Sequence, residues 1–411
     1  MLNSQFDLLP PYPFKRLAAL LNDPAPEGIE PLILSIGEPQ NQPPAAVQNA
    51  IATHCHLWNK YPPNLGTQEF RKTITQWLIK RFHLPETLLD SERHVAPCPG
   101  TREALFLLGQ ICVPQQKNGQ KPVVLLPDPF YHVYAASGIF AGAELVYLPA
   151  TSETGYLPDL SSVSPEILAR TALFFMCSPS NPQGAIASLE TLTQGLALAR
   201  HYDFTIAFDE CYSEIYTSSP PPGGLQAALS LSVESPSAAD PLSHMVVLQS
   251  LSKRSSAAGL RSGFMAGDPE IIALYGRLIG QGGTPTPLPI LAAATALWKD
   301  EEHVEANRAR YRYNFILAEE RFGRLGFQRP GGGFFLWLNV GDGEAMAKTL
   351  WQRFAIRVMP GAYMCGGATL TGTENPGQAF IRVALVLEED AMAQALDRLL
   401  EALKDVGLVG A

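Results

Sequence analysis

Residues 245–262 read MVVLQSLSKRSSAAGLRS. The apolar run Met245–Leu248 leads into Ser250-Leu251-Ser252-Lys253, and Arg261 stands just ahead of a second apolar run, Gly263–Ala266. A short run that is apolar at every position offers no solvent face, so as a strand it is buried on both sides. A lysine just past the end of such a strand sits at the edge of a sheet. In open α/β sheets that edge is where ligands bind. The same pattern recurs at Val123–Leu126, Leu145–Leu148, Ala172–Cys177 and Phe204–Phe208. Between these runs lie helical patterns such as Arg102–Gln110, Ser188–His201 and Pro269–Ile279. The alternation predicts an α/β fold with a mostly parallel sheet flanked by helices.

Each run ends in polar or aromatic residues. Asp128-Pro129-Phe130-Tyr131, Ser178-Pro179-Ser180-Asn181-Pro182-Gln183-Gly184, Asp209-Glu210-Cys211-Tyr212 and Ser250-Leu251-Ser252-Lys253 would all arrive at one sheet edge. A single Asp after a strand is usually a helix cap. Four such endings together make a site. Pro99-Gly100-Thr101-Arg102 is a small-residue turn that opens a helix. The free N–H groups at a helix start suit a phosphate, and Ser250 and Arg261 would add a hydroxyl and a guanidinium to the same anion.

Composition limits the alternatives. The chain has 411 residues, with 30 Lys and Arg against 39 Asp and Glu, a formal charge of −9. An acidic surface disfavours wrapping around nucleic acid. No apolar run is long enough to span a bilayer. The opening MLNSQFDLLPPYPF lacks the basic and apolar regions of a secretory signal, so a cytoplasmic location is expected. The six cysteines form no C-x-x-C pair and read as free thiols. His54-Cys55-His56 has no matching second half for a metal.

The chain divides into an arm over 1–45 that joins a small domain, a large domain over 46–285, and a small α+β domain over 286–411. The arm holds a short helix near Phe14–Leu21 and the apolar run Leu32–Ile36. Ser218–Ser243 reads as a surface excursion and Gly280–Pro289 as a boundary loop. Ile290–Leu325 is a long helical stretch. Gly331–Val340 follows, then strands near Ile356–Met359 and Ala379–Leu387, with helices near Gly343–Phe354 and Glu389–Val406.

The ordered set S-P-S-N-P-Q-G at 178–184, F-D-E-C-Y at 208–212, S-L-S-K-R-S at 250–255, G-L-R-S-G at 259–263, P-G-G-G-F-F-L-W at 330–337 and R-V-A-L at 382–385 resembles the class I/II aminotransferases of pyridoxal-phosphate fold type I. The resemblance runs from about Tyr12 to the C-terminus. It implies a large domain with a mostly parallel seven-stranded sheet and a smaller α+β domain. It makes Lys253 the lysine that holds pyridoxal 5'-phosphate and later moves the proton at the substrate Cα. Asp209 would pair with the ring nitrogen and keep it protonated, which makes the ring an electron sink. Asn181 and Tyr212 would hold the ring oxygen, and Tyr131 would stack on the ring. Gly100, Thr101, Arg102, Ser250 and Arg261 would form the phosphate cup. Tyr61 would reach the phosphate of a neighbouring subunit in a homodimer. Gly37, Asn181 and Arg382 would hold the α-carboxylate of an amino acid or 2-oxo acid substrate, Arg382 through its planar fork.

Within the family, P-Y-P-F-K-R-L at 11–17, S-I-G-E-P at 35–39, Y-P-P-N-L-G at 61–66, P-G-T-R-E-A-L-F at 99–106 and D-P-F-Y-H-V-Y at 128–134 are most similar to bacterial N-succinyl-diaminopimelate aminotransferases of lysine biosynthesis, which use glutamate as amino donor. Gln183, Ser256-Ala257-Ala258 and Gly280–Thr284 depart from that pattern. Aspartate or aromatic aminotransferases and C–S lyases of the same fold are the alternatives. Ser250-Leu251-Ser252-Lys253 also fits the S-x-x-K of acylating serine enzymes, but the companion K-T-G is absent. A non-catalytic module that keeps the cofactor is a third class, disfavoured because every catalytic position is filled. Arg16, Arg102 and Arg254 are candidates for a distal carboxylate. The arm and the Gly280–Pro287 loop are expected to shape the tail pocket.

Overall fold

The computed structural model describes residues 2–234, 240–366 and 375–408. The apolar runs form strands β2 (Val123–Asp128), β3 (Glu144–Pro149), β4 (Thr171–Cys177), β5 (Thr205–Asp209), β6 (Met245–Ser250) and β7 (Gly263–Gly267), preceded by β1 (Val95–Cys98). They form one seven-stranded sheet in the order β1-β7-β6-β5-β4-β2-β3. Strands β2 to β6 are all parallel, and β7 runs antiparallel to both of its neighbours. Every residue of β2, β4, β6 and β7 is buried, which is why these segments read as unbroken apolar runs. Strand β1 is not apparent from periodicity because it contains Pro97, which cannot donate to a ladder. It survives as an edge strand that pairs only with β7.

The winding of this sheet creates the crevice. The chain goes from β2 outward to β3, then returns past β2 to β4 and continues the other way through β5 and β6. The direction reverses between β2 and β4, so the connections after these strands part and leave room at their carboxyl ends.

A second, antiparallel sheet of β8 (Phe335–Asn339), β9 (Met359–Pro360) and β10 (Phe380–Ala384) has the order β9-β10-β8. Helices Glu302–Phe322, Gly343–Phe354 and Glu389–Asp405 cover it. Together they enclose their own core of Leu34, Phe315, Leu336, Leu350, Ile381 and Leu396. Leu34 belongs to the N-terminal segment. That segment pairs Leu32–Ile33 with Ile356–Arg357, and the Leu34 carbonyl then accepts the N–H of Ala384. The next residue, Ser35, thereby reaches Arg382 of β10 with its carbonyl.

Three expectations need correction. The helical stretch Ile290–Leu325 is two helices, Leu288–Lys299 and Glu302–Phe322. Asp300 breaks it, and its carboxylate accepts the Glu302 N–H at 2.9 Å. Only the middle of Gly280–Pro289, residues 283–287, is loop. Gly280 to Gly282 are the last turn of helix Pro269–Gly282, and the next helix starts at Leu288. A Cβ at Gly280 would lie 2.4 Å from the Asn64 side-chain amide. Ser218–Ser243 contains helix Gly224–Glu234, which buries Leu225, Ala227 and Ala228. Gly224 lets it close onto the sheet, because a Cβ would meet the Phe208 ring at 2.4 Å. Residues 235–239 of that stretch lie outside the described residues. Among the described residues, no helix is long and apolar enough to cross a membrane.

Candidate active site

A cavity of about 600 Å³ opens at the carboxyl ends of β2, β4, β5 and β6 and is closed from above by the N-terminal segment and β10. All the residues expected to hold the cofactor or the α-carboxylate line it except Gly100 and Tyr61. Gly100 lies directly behind its wall, against Arg261. Tyr61 is fully exposed, at 101%.

Lys253 follows β6 on the four-residue helix Leu251–Arg254. Its ammonium donates to the Gly37 carbonyl at 2.6 Å and sits 5.2 Å from the centre of the Phe334 ring. Burial among apolar groups disfavours the charged form and brings its pKa down from 10.5 to about 8. Gly37 must be glycine here. A Cβ at that position would lie 2.5 Å from Cζ of Phe335.

Asp209, the last residue of β5, is buried. Its carboxylate accepts the Tyr134 hydroxyl at 2.6 Å and the Cys211 N–H at 3.2 Å. Desolvation pushes its pKa up, and these donors pull the other way. Tyr134 is fully buried and stacks on Phe175 at 4.6 Å. No motif marks its role. The available signal is its place three residues after Tyr131, the residue that precedes the helix His132–Phe140 on which Tyr134 lies. Burial holds the phenols of Tyr134 and Tyr212 well above their ordinary pKa, so both stay protonated and can donate.

The helix Thr101–Cys112 starts at Gly100 with φ 78°. A side chain at Gly100 would strike Nη2 of Arg261 at 2.5 Å. Arg261 itself holds a left-handed φ of 52° and donates to the Pro99 carbonyl at 3.0 Å. The hydroxyls of Ser250 and Ser252 are 2.8 Å apart on the same wall. Free helix N–H groups, two hydroxyls and a guanidinium thus face one corner. Arg102 departs from a simple phosphate ligand, because its Nε donates to the Tyr131 hydroxyl at 2.5 Å.

Arg382 lies in the middle of β10, opposite Trp337 and Met359. It is 6% exposed. Nη2 donates to the Ser35 carbonyl at 2.9 Å and Nη1 to Oδ1 of Asn181 at 3.3 Å. The guanidinium covers the Phe335 ring at 4.3 Å. Among the described residues it has no carboxylate partner, and its buried Nε has no acceptor. Burial lowers its pKa to about 10, so it remains a cation at neutral pH.

Of the arginines offered for a distal carboxylate, only Arg102 lines the cavity. Arg16 stacks on Tyr363. Arg254 is buried elsewhere, bonded to the Leu297 carbonyl and Glu301 beside Trp298. No residue of Gly280–Pro287 lines the cavity, whereas Tyr12, Pro13 and Phe14 of the arm do. Cys177 and Cys211 also line it, and burial pushes both thiols well up.

The family model for aminotransferase class I and II matches residues 29–399. An aminotransferase from Neisseria meningitidis superposes with a TM-score of 0.89 at 35% identity, over 97% of this chain and 99% of that one. One from Helicobacter pylori gives 0.86 at 32% identity, over 96% and 99%. The LL-diaminopimelate aminotransferase of Gloeobacter violaceus is 29% identical over 407 residues, 96% of this chain and 97% of its own. That of Desulforudis audaxviator is 28% identical over 400 residues, 95% of each. The chain belongs to the class I and II aminotransferases, pyridoxal-phosphate-dependent enzymes of fold type I.

The residues present fit that cofactor. Lys253 supplies an amine at the strand end, and Asp209 a buried carboxylate below it. The cradle beside Gly100, which a Cβ would fill, suits the phosphate. The free amine is the nucleophile toward the cofactor aldehyde, so its protonation controls capture. Covalent capture of pyridoxal phosphate by the apo-protein, trapped with borohydride, is expected to quicken as pH rises through about 8 and then level off. A rise delayed until the ordinary lysine value of 10.5 would show that Lys253 is not desolvated.

Proposed function

We propose that the protein transfers an amino group between glutamate and 2-oxoglutarate on one side and a diaminopimelate-type amino/keto diacid, N-succinylated at its far amine, on the other. The observation that carries the transaminase half of this reading is Arg382. A buried guanidinium with no carboxylate partner is costly, and an incoming α-carboxylate supplies that partner through two parallel bonds. The names of the diaminopimelate aminotransferases among the relatives support the carbon skeleton. The succinyl group rests on the motif resemblance around 11–17, 35–39 and 128–134.

Pyridoxal phosphate, when bound, supplies the electron sink that stabilises negative charge at the substrate Cα. The protein does the rest. Asn181 and Tyr212 would hold the ring oxygen, Tyr131 would cover the ring, and Asp209, steadied by Tyr134, would hold the proton at the ring nitrogen. Thr101, Ser250 and Arg261 with the N–H groups after Gly100 would hold the phosphate. Arg382 and Asn181 orient the α-carboxylate so that the Cα proton faces Lys253. The Lys253 amine would take that proton and release it on the far side of the substrate nitrogen, the move that shifts the amino group. The arm residues Tyr12 and Phe14, with Arg102, border the tail. Tyr61 completes the phosphate site of a second copy of the chain in a homodimer, which accounts for its full exposure in one subunit.

Arg382→Lys loses the bidentate fork. It is expected to raise KM for glutamate and for the diacid together by roughly tenfold or more. A rise for one substrate only would place the α-carboxylate elsewhere. Side-by-side rates with glutamate as donor test the acceptor. The succinylated keto diacid should be preferred over the keto acids of aspartate and of the aromatic amino acids. Preference for the unsuccinylated diacid removes the succinyl part of the reading, and preference for oxaloacetate removes the skeleton. Lys253→Ala and Tyr61→Ala subunits, each inactive alone, should regain activity when mixed, because one hybrid site carries both native residues. Hybrids that form and stay inactive contradict the shared site.

A further inference from the structure

Lys253 stands on a helix of only four residues, Leu251–Arg254. So short a helix leaves carbonyls at its end without intrahelical partners. Two of them are taken by one side chain. Nδ2 of Asn307, on helix Glu302–Phe322, donates to the Lys253 carbonyl at 3.0 Å and to the Arg254 carbonyl at 3.1 Å. Its Oδ1 accepts from the Asn41 amide and from the Ser256 hydroxyl, each at 3.2 Å. A primary amide has two N–H donors and two acceptor lone pairs, and Asn307 uses all four while 8% exposed. Its orientation and the height of the Lys253 main chain are therefore fixed together.

Asn41 connects this cluster to the active site by a second path. The N-terminal segment 35–41 holds Arg382 through the Ser35 carbonyl, the Lys253 ammonium through the Gly37 carbonyl, and Asn307 through Asn41. One stretch of seven residues thus touches the carboxylate-binding cation, the reacting amine and the anchor of that amine's backbone.

We propose that Asn307 is a positioning residue for Lys253, and that the Asn41–Asn307–Lys253 chain registers the amine against the segment that holds Arg382. Proton transfer between Cα and Lys253 needs the amine at a set distance from a substrate fixed by Arg382. A displacement of about 1 Å costs on the order of a hundredfold. Asn307 never touches the substrate; it acts through the lysine.

A merely architectural role predicts something different, and the same helix supplies the control. Asn314, 0% exposed, also spends its Nδ2 on two carbonyls, those of Leu385 at 3.1 Å and Leu387 at 3.2 Å, away from Lys253. The test is borohydride-trapped capture of pyridoxal phosphate at Lys253 by the apo-protein, followed against pH. Asn307→Asp keeps the size of the side chain but turns an oxygen toward both carbonyls. It is expected to slow capture roughly ten- to a hundredfold and to move the pH midpoint upward as the amine leaves its apolar site. Asn314→Ala should lower the unfolding midpoint and leave the capture rate and pH midpoint alone. Asn41→Ala, which spares both bonds to the lysine turn, should shift capture in the same direction by less, and it serves if Asn307→Asp does not fold. An unchanged pH midpoint in Asn307→Asp overturns the proposal, as does an equal shift in Asn314→Ala. An unchanged Asn41→Ala overturns the coupling to the segment.

Discussion

The structure turns on a buried cation without an anion. Taking a guanidinium out of water costs on the order of several kcal/mol unless it is paired, and among the described residues Arg382 is offered only a carbonyl, an amide oxygen and an aromatic face. These contacts hold its orientation without neutralising it. The position follows from the second sheet. Arg382 is the central residue of β10, flanked by β8 and β9, so its backbone cannot move to relieve the burial. The N-terminal segment is pinned to the same strand through Leu34 and Ala384. Its next residues bring the Ser35 carbonyl to Arg382 and the Gly37 carbonyl to Lys253. The remaining donors of Arg382 are left for a ligand.

Beneath it, the large sheet does a separate job. Parallel strands deliver their carboxyl ends to one side, and the change of winding between β2 and β4 opens a crevice there. Asp209 and Lys253 come from adjacent strands β5 and β6, so the spacing between carboxylate and amine is set by the ladder. The cavity therefore lies between two separately packed cores, with Lys253 and Asp209 at the large sheet and Arg382 on the small one. The N-terminal segment ties them together. Burial disfavours the charged form of all three ionisable groups, lowering Lys253 and Arg382 and raising Asp209, so a cation beside Asp209 or an anion beside Arg382 would offset its cost.

Much of this was legible in the sequence. Strands buried on both faces announce themselves as apolar runs, and the residues just past them arrive at the site because the sheet is parallel. Gly37 and Gly100 stand where Phe335 and Arg261 approach too closely for a side chain. The features that were not legible share one physical cause, contact between segments distant in sequence. Asn307 lies 54 positions from the lysine whose carbonyl it holds and 266 from Asn41. No local pattern distinguishes it from a surface helix residue. The Tyr134 hydroxyl meets Asp209 across 75 positions. Pro97 hides an edge strand because its cost is waived where no second ladder forms. The glycines at Gly280 and Gly282 read as loop by propensity, yet they form the last turn of the helix Pro269–Gly282. Arg254, a plausible carboxylate ligand by residue type, is spent on the Leu297 carbonyl and Glu301 instead.

The most direct test of the account is a crystal structure of the protein with pyridoxamine phosphate and 2-oxoglutarate bound. The α-carboxylate should lie against Arg382 in two parallel bonds, with the Ser35 carbonyl still holding the guanidinium and the α-carbon facing the Lys253 amine. An α-carboxylate bound at Arg102, with Arg382 still lacking an anionic partner, would contradict it.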